Sequence, residues 1–565
     1  MEKEDRPSKR VKLSAIDQQL DPIEATPTAV ADGLASLHRS ITPPPSSRPR
    51  RESSVPQTSV HSAELTSGRS RLIPSPIQLT HIRDLSAASG NNVDTVRLKD
   101  ILGDPMIREC WQFNFLFDVD FLMSQFDEDV RRLVQVKVVH GSWKKDAPNR
   151  IRIEEACPRY PNVEAITAYM PEPFGTHHSK MMILLRHDDL AQVVIHTANM
   201  IPGDWANMCQ AVWRSPLLPL RRTEREPEGP GAVGSGTRFK RDLIAYLNEY
   251  GVKKTGPLVT QLKRFDFSAV RAALIASVPS KQKLSSLDSR KKTLWGWPAL
   301  KEATCEIPLT PKGNGQIVPS HIVTQISSIA SLGQTDKWLK DVFFASLSPT
   351  SSTAGIPQPK YSIIFPTPDE IRRSLNGYGS GGSIHMKLQS ATQQKQLQYM
   401  RPYLRHWAGD SAGSSSAITS QREAGRRRAA PHIKTYIRFS DAEKMDTIDW
   451  AMVTSANLST QAWGAAVNNA GEVRISSWEI GVMVWPQLFV QEGDPPERLQ
   501  QAVMVPCFKR DLPLVAPEDA PECDVLVGLR MPYDLPLTSY KADEVPWCAT
   551  TAHTEPDWLG QTWEG

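Results

Sequence analysis

His178-Ser179-Lys180 opens an apolar stretch, Met181 to Leu185, and after a polar break a second apolar run ends in Ile195-His196-Thr197-Ala198-Asn199. Far along the chain the order returns as His432-Ile433-Lys434, a polar break, then Ala451-Met452-Val453-Thr454-Ser455-Ala456-Asn457. Trp205 and Trp463 follow the two asparagines at the same offset. Residues two apart in a strand share a face, so His-x-Lys delivers an imidazole and an ammonium side by side. A returning hairpin strand lets the terminal asparagine join them, and one such set makes half a phosphate site. Two sets facing each other put imidazoles on opposite sides of one phosphorus, as in-line displacement through a covalent phosphohistidine requires. One imidazole attacks; the other protonates the leaving oxygen and then deprotonates water. Lys180, Lys434, Asn199 and Asn457 would donate to the equatorial oxygens. With side chains supplying the cations, this chemistry needs no metal and no other cofactor. His177 is out of register with Lys180, and His196, three before Asn199, reads as structural.

The elements that must position these groups show in the pattern. Gln112 to Leu122 is dense in aromatics, Leu133 to Val139 alternates as a strand, and Val163 to Met170 is another strand. Pro171 to Gly175 is a turn leading into the first His-Lys strand, and Phe239 to Tyr250 has helical spacing closed by Gly251. Ala272 to Val278 and Tyr361 to Phe365 read as strands, Gly377 to Gly382 as a turn, and Gly409 to Ala429 as a long polar loop ending in Arg426-Arg427-Arg428. Those arginines read as a solvated loop rather than as a charge attractor. Ser477 to Val484 looks like a core strand carrying one acid, Glu479. A repeat at this distance implies two related halves of alternating strands and helices, α/β or layered α+β. The division expected is a disordered tail over 1–75, a first domain over 76–280 and a second over 281–565, with the polar segment Pro279 to Lys292 as the boundary.

Bulk properties add bounds. A chain of 565 residues has ample length for large cores, and a formal net charge of +4 is too small to argue for nucleic acid by itself. Seven cysteines without a CxxC pair give no zinc or disulfide framework, which with no secretory signal points to reduced thiols in an intracellular compartment. No stretch approaches the ~18 apolar residues of a membrane span. The tail is rich in Pro, Ser, Thr and Arg, and holds Pro7-Ser8-Lys9-Arg10-Val11-Lys12-Leu13, a basic cluster of nuclear-import type. A monomer is expected, because both half-sites lie in one chain.

Several segments carry a resemblance to the phospholipase D superfamily and, within it, to the 3′-tyrosyl-DNA phosphodiesterases. They are Pro173-Phe174-Gly175-Thr176-His177-His178-Ser179-Lys180, Val194 to Asn199, Gln325 to Gly333, Pro431 to Tyr436, Val453 to Ser459 and Met531 to Pro536. The match spans roughly Ile77 to the C-terminus. The usual superfamily motif has Asp after the Lys; here Leu185 and Phe439 stand in those places, a departure shared by the tyrosyl-DNA enzymes. The resemblance implies two phospholipase D-like α-β-α halves, His178 as nucleophile and His432 as general acid/base. It implies phosphate binding by Lys180, Lys434, Asn199 and Asn457, and orientation of the imidazoles by Glu479 and Gln210. It further implies base stacking by Phe174 and DNA-backbone contacts from Ser328 and Ser331. The substrate implied is a DNA 3′ end joined to a tyrosine of stalled topoisomerase I, and the product a 3′-phosphate. Two rivals share the motifs: a superfamily nuclease or phospholipid hydrolase, and a catalytically dead DNA-end binding scaffold.

Overall fold

Apolar runs become buried strands, and their order repeats. The computed structural model describes residues 65–67, 70–222, 229–286, 288–309, 318–348, 357–408, 422–490, 501–514 and 523–565. The first sheet contains β1 (Ile77–Leu79), β2 (Ile107–Phe113), β3 (Gln135–His140), β4 (Val163–Thr167), β5 (Met181–Arg186), β6 (Leu190–His196) and β7 (Ala211–Arg214). The second contains β8 (Ala273–Ser277), β9 (His321–Gln325), β10 (Lys360–Ile364), β11 (Leu404–Arg405), β12 (Thr435–Phe439), β13 (Ile448–Thr454) and β14 (Glu479–Val484).

Spatial order is β1-β7-β6-β5-β2-β3-β4 in the first sheet and β8-β14-β13-β12-β9-β10-β11 in the second. The sense of every pairing also repeats. β2, β3 and β4 are parallel, as are β9, β10 and β11, and the remaining pairs among these fourteen strands are antiparallel. The second sheet also extends from β13 through Ala502–Cys507 to Val525–Arg530, and those two strands pair in parallel. The halves are therefore duplicates in topology as well as in motif. Together they form the mixed α/β fold of two phospholipase D-like halves.

Alternation along the strands sorts the core into layers. Met181, Ile183 and Leu185 on β5 and Ile437 and Phe439 on β12 enter one shared core between the sheets. Met182 and Leu184 point to the outer side of the first half, and Tyr436 and Met452 to the outer side of the second. Each such fully buried aliphatic side chain contributes about 1.5–3 kcal/mol. The helix Gly236–Asn248 packs Phe239, Leu243 and Tyr246 into the shared core. It begins three residues before the expected start because the Ser235 side chain caps it by accepting from the Arg238 N–H.

The structure departs from the sequence-based expectations in three places. Order starts before Ile77: Ser70–Ile73 pairs in parallel with Val525–Val527, and Leu65–Ser67 pairs with it in turn. The expected tail boundary at residue 75 therefore falls too late. The strand Ala273–Ser277, assigned to the first half, is β8 and pairs with β14 of the second sheet. It is the topological counterpart of β1, so the second half begins before residue 281. Nor is Pro279 to Lys292 a plain linker, since Ser280–Lys283 forms an antiparallel pair with Glu472–Ile475. The basic cluster at 7–13, and most of the loop at 409–429, lie outside the described residues.

Candidate active site

The pairing Phe113↔Met181 fixes where the first motif sits: His178-Ser179-Lys180 lies just before β5, beside the carboxyl end of β2. Gln325↔Thr435 places His432-Ile433-Lys434 in the same way beside the end of β9. Both asparagines leave the neighbouring strand of their hairpin, Asn199 three residues past the end of β6 and Asn457 three past β13. The halves then cross. The Trp478 N–H donates to the Thr176 carbonyl (2.8 Å), and the His178 N–H to the Trp478 carbonyl (2.9 Å). On the other side, Ala430–Pro431 pairs with Met208–Cys209, and the Ile433 N–H donates to the Cys209 carbonyl (2.8 Å).

These crossings deliver Glu479 and Gln210 to the imidazole of the opposite half. His178 Nδ1 is 3.0 Å from Glu479 Oε2, and His432 Nδ1 is 2.9 Å from Gln210 Nε2. Glu479 and Gln210 are themselves counterparts. The register Val212↔His196 matches Gly481↔Thr454, so each lies two residues before an equivalent position. Each is held by an equivalent hydroxyl: Ser455 Oγ–H donates to Glu479 Oε2 (2.5 Å), and Thr197 Oγ1–H to Gln210 Oε1 (2.7 Å). Those hydroxyl oxygens accept in turn from the backbone N–H of Ile480 and Ala211, both at 3.0 Å. The Glu479 side chain is buried, as its place on a core strand requires.

The symmetry breaks at Asp204, which sequence reasoning missed. Its carboxylate, buried on the helix Pro202–Ala206, lies 3.2 Å from His432 Nδ1 and accepts from the Asn199 backbone N–H (2.6 Å) and Gln210 Nε2 (3.3 Å). The offset of Trp205 and Trp463 places Ala462 at the matching position of the second half. That mismatch in an otherwise aligned repeat was the available signal. His385 was also missed. It pairs with Ser328, and desolvation, then Lys387 and Lys434, lower its pKa.

Electrostatics agree that the two sets share one pocket. Burial pulls His178 below its ordinary value; Lys180 adds to this and Glu479 opposes it. Burial also drives His432 well down, assisted by Lys434, Lys180 and His178. Lys180 and Lys434 are both fully buried, and each donates to the carbonyl of its own histidine. Burial brings Lys180 down to about 8; burial and the neighbouring Lys180 bring Lys434 well below its usual range. Burial raises Asp204 to about 6 against the opposing Asn199 hydrogen bond and the two lysines. An enclosure holding two ammonium groups and two imidazoles suits a phosphoryl group.

The remaining expected residues distribute as follows. Asn457 Oδ1 accepts from the Ser327 and Ser328 backbone N–H groups (3.1 and 2.9 Å), which leaves its amide N–H groups for another acceptor. The Asn199 side chain leans on Asp204. Ser328 thus adjoins the site, while Ser331 is exposed further along the same loop. Phe174 is 84% exposed, which rules out core packing, and Phe115 lies beside His178 with ring centroids 5.5 Å apart. His177 is buried between the Asn114 carbonyl and the Tyr250 hydroxyl, and His196 is buried against Trp205. Arg426 to Arg428 do not form a solvated run: Arg426 is buried beside Cys209 and Asn91, Arg427 pairs with Asp534, and Arg428 lies over Trp558.

A duplicated sheet with a His-Lys-Asn set from each half at one pocket defines a phosphodiesterase of the phospholipase D superfamily. Comparison with known proteins narrows the class. The family model described as "Tyrosyl-DNA phosphodiesterase" matches residues 76–541. A probable tyrosyl-DNA phosphodiesterase of Schizosaccharomyces pombe is 30% identical, covering 87% of this chain and 96% of its own. Tyrosyl-DNA phosphodiesterase 1 of Drosophila melanogaster is 29% identical over 84% of this chain and 74% of its own. The crystal structure of the yeast tyrosyl-DNA phosphodiesterase superposes with a TM-score of 0.57 at 22% identity, covering 84% of this chain and 98% of that one. The chain belongs to the tyrosyl-DNA phosphodiesterase family.

Proposed function

We propose that this enzyme hydrolyses the phosphodiester between a DNA 3′ end and a tyrosine left by topoisomerase I, through a phosphohistidine on His178, and so serves DNA repair. One observation carries the assignment of roles: the two imidazoles have different partners at Nδ1. His178 faces only an acceptor there, Glu479 Oε2, so its Nδ1 holds the proton and Nε2 keeps a bare lone pair. That is the tautomer of a nucleophile. His432 has a partner for each protonation state. The Thr197 hydroxyl proton fixes Gln210 Oε1, which turns the Gln210 amide N–H toward His432 Nδ1 and Asp204. At rest a neutral His432 accepts from Gln210 at Nδ1. Once protonated it donates from Nδ1 to Asp204, and that Nδ1–H stays in place after Nε2 has given its proton to the phenolate oxygen, so Nε2 is free to take a proton from water. A group that must give a proton and then take one needs both.

In the first step His178 Nε2 attacks phosphorus, the P–O bond to tyrosine breaks, and the phenolate oxygen takes the proton from His432. In the second, His432 takes a proton from water, the oxygen attacks phosphorus, and the P–N bond returns its pair to His178, leaving a 3′-phosphate. Lys180, Lys434, Asn199 and Asn457 hold the non-bridging oxygens, and Ser328, Ser331 and Phe174 hold the DNA. The basic cluster at 7–13 supports a nuclear location, and two half-sites in one chain support a monomer. The test is a denaturing gel after mixing each variant with a 3′-tyrosyl oligonucleotide in EDTA. His178→Ala should give no turnover and no adduct, and a His432 variant should give a trapped DNA–protein adduct. Full activity of the His178 variant refutes the assignment.

A further inference from the structure

The large exposed aromatic side chains of the described residues are unevenly placed. Phe115, Trp143, Tyr169 and Phe174, all in the first half, are 37%, 55%, 67% and 84% exposed, and Trp558, beneath Arg428 near the C-terminus, is 54% exposed. The first three follow three neighbouring parallel strands: Phe115 two residues past β2, Trp143 three past β3, and Tyr169 two past β4. Because β2, β3 and β4 run the same way, all three rings leave the sheet at the end where His178 precedes β5. Neighbouring strands are ~4.8 Å apart, so the exits step outward from the catalytic pocket in increments comparable to the spacing of stacked or partly extended bases.

The loops that present these rings are tied to each other and to the motif. Gly141, two before Trp143, packs so tightly on His177 that an added Cβ would collide with the His177 Cβ. Asn149 donates to the Ser142 hydroxyl (3.0 Å) and the Phe115 carbonyl (3.2 Å), and Arg150 donates to the Trp143 carbonyl (3.0 Å). The Ala168 N–H donates to the His140 carbonyl (2.8 Å), and Trp478, whose carbonyl holds His178, donates to the Tyr169 carbonyl (3.2 Å). Lys144 Nζ stands 5.5 Å from the Trp143 ring centroid, and Lys145 follows. The second half makes the contrast. After β10 and β11 the aromatic residues are Phe365 and Trp407, and both are buried. Duplicated topology thus carries an exposed row on one side of the pocket only.

Resting on the DNA-end reading above, we infer that Trp143 and Tyr169, continuing from Phe115, form a stacking track for the single-stranded segment upstream of the scissile phosphate, with Lys144 and Lys145 following its backbone. Exposed rings beside lysines fit a strand whose bases present π-faces and whose phosphates carry charge. The track makes turnover depend on DNA length rather than on the size of the leaving peptide. The test compares kcat/KM for 3′-phosphotyrosyl oligonucleotides from one to about ten nucleotides long in the full-length enzyme and in Trp143→Ala, Tyr169→Ala and Trp143→Phe, with thermal melts of each. The native enzyme should gain with length over the first several nucleotides. Each alanine variant should lose about five- to tenfold of that gain, and Trp143→Phe should keep most of it. An unchanged length dependence in both alanine variants overturns the inference, as does a loss that tracks peptide length at fixed DNA length. Failure of the native enzyme to turn over any length would instead refute the proposed function.

Discussion

Asp204→Asn separates a charge that serves His432 from a side chain that merely holds the Asn199 backbone N–H. At 3.2 Å, with an effective dielectric of ~20, the gross attraction between the Asp204 carboxylate and a protonated His432 is about 5 kcal/mol. Desolvation consumes part of this, and breaking a buried pair typically costs about 3–5 kcal/mol. Taking ~3 kcal/mol as the loss in the step that needs imidazolium gives roughly a hundredfold. Burial has raised Asp204 to about 6. Above that pH the carboxylate is charged and supports the imidazolium; below it the charge is lost. The acid limb of the native pH–rate profile should therefore fall through about pH 6, and the Asp204→Asn enzyme should lack that limb, staying near the low-pH level throughout. The adduct should also persist longer, because water attack makes the same demand on His432. Single-turnover kinetics from about pH 5 to 9 with a tyrosyl oligonucleotide read both. A uniform loss with an unmoved limb would mean that Asp204 acts only by holding the Asn199 N–H, and a loss below threefold would remove it from the mechanism.

Glu479→Gln should slow adduct formation by about 10⁴, the loss seen when the carboxylate orienting a catalytic imidazole is replaced by its amide. No adduct should accumulate, the opposite of Asp204→Asn, and a burst-phase experiment distinguishes them. Inorganic phosphate should bind with proton uptake near pH 8, because burial has brought Lys180 down to about 8 and, with the neighbouring Lys180, holds Lys434 well below its ordinary range, and an anion reverses that shift. Affinity should fall as pH rises through about 8, and calorimetry in buffers of different ionisation enthalpy measures the protons; identical enthalpies would refute it. Gly481→Ala should lower the melting temperature by about 1–3 °C, since its Cβ would lie 2.5 Å from Thr454 Cβ in the middle of the second sheet, overpacking of a kind that costs about 1–3 kcal/mol. Differential scanning fluorimetry checks it.

What the chain declares locally was readable, and what depends on pairing was not. His-x-Lys spacing, the apolar hairpin strands and the helix ended by Gly251 follow from residue type and period alone. The partners of the two imidazoles do not: Glu479 is 301 positions from His178, and Gln210 is 222 from His432. Only the crossing of the halves joins them. The strand β8 was recognised as a strand but placed in the wrong half, because nothing in Ala273–Ser277 states that its neighbour is β14. Arg426 misled for a related reason. Three arginines in succession resemble a solvated run until tertiary packing buries the first and engages the other two.

Duplication alone would give two equivalent imidazoles, and then only the orientation of the bound substrate would divide attack from proton transfer. The repeat is broken at two positions that bear on this division. Where the second half offers Glu479 the first offers Gln210, and where the second has Ala462 the first has Asp204. A single carboxylate locks one tautomer of His178; an amide beside a carboxylate lets His432 pass between two protonation states without stranding its buried Nδ1. Exchanging the sets tests this directly. In Gln210→Glu a second carboxylate would stand near the position Gln210 Nε2 now holds, 3.3 Å from Asp204. Two carboxylates that close cannot both ionise, so one keeps a proton and the His432 environment becomes pH-dependent over the working range. Adding Asp204→Ala leaves the introduced glutamate as the lone partner of His432 and makes both imidazoles alike. The double variant should form adduct faster than it resolves it, and an enzyme that resolved both steps at native rates would show that the broken symmetry has no part in catalysis.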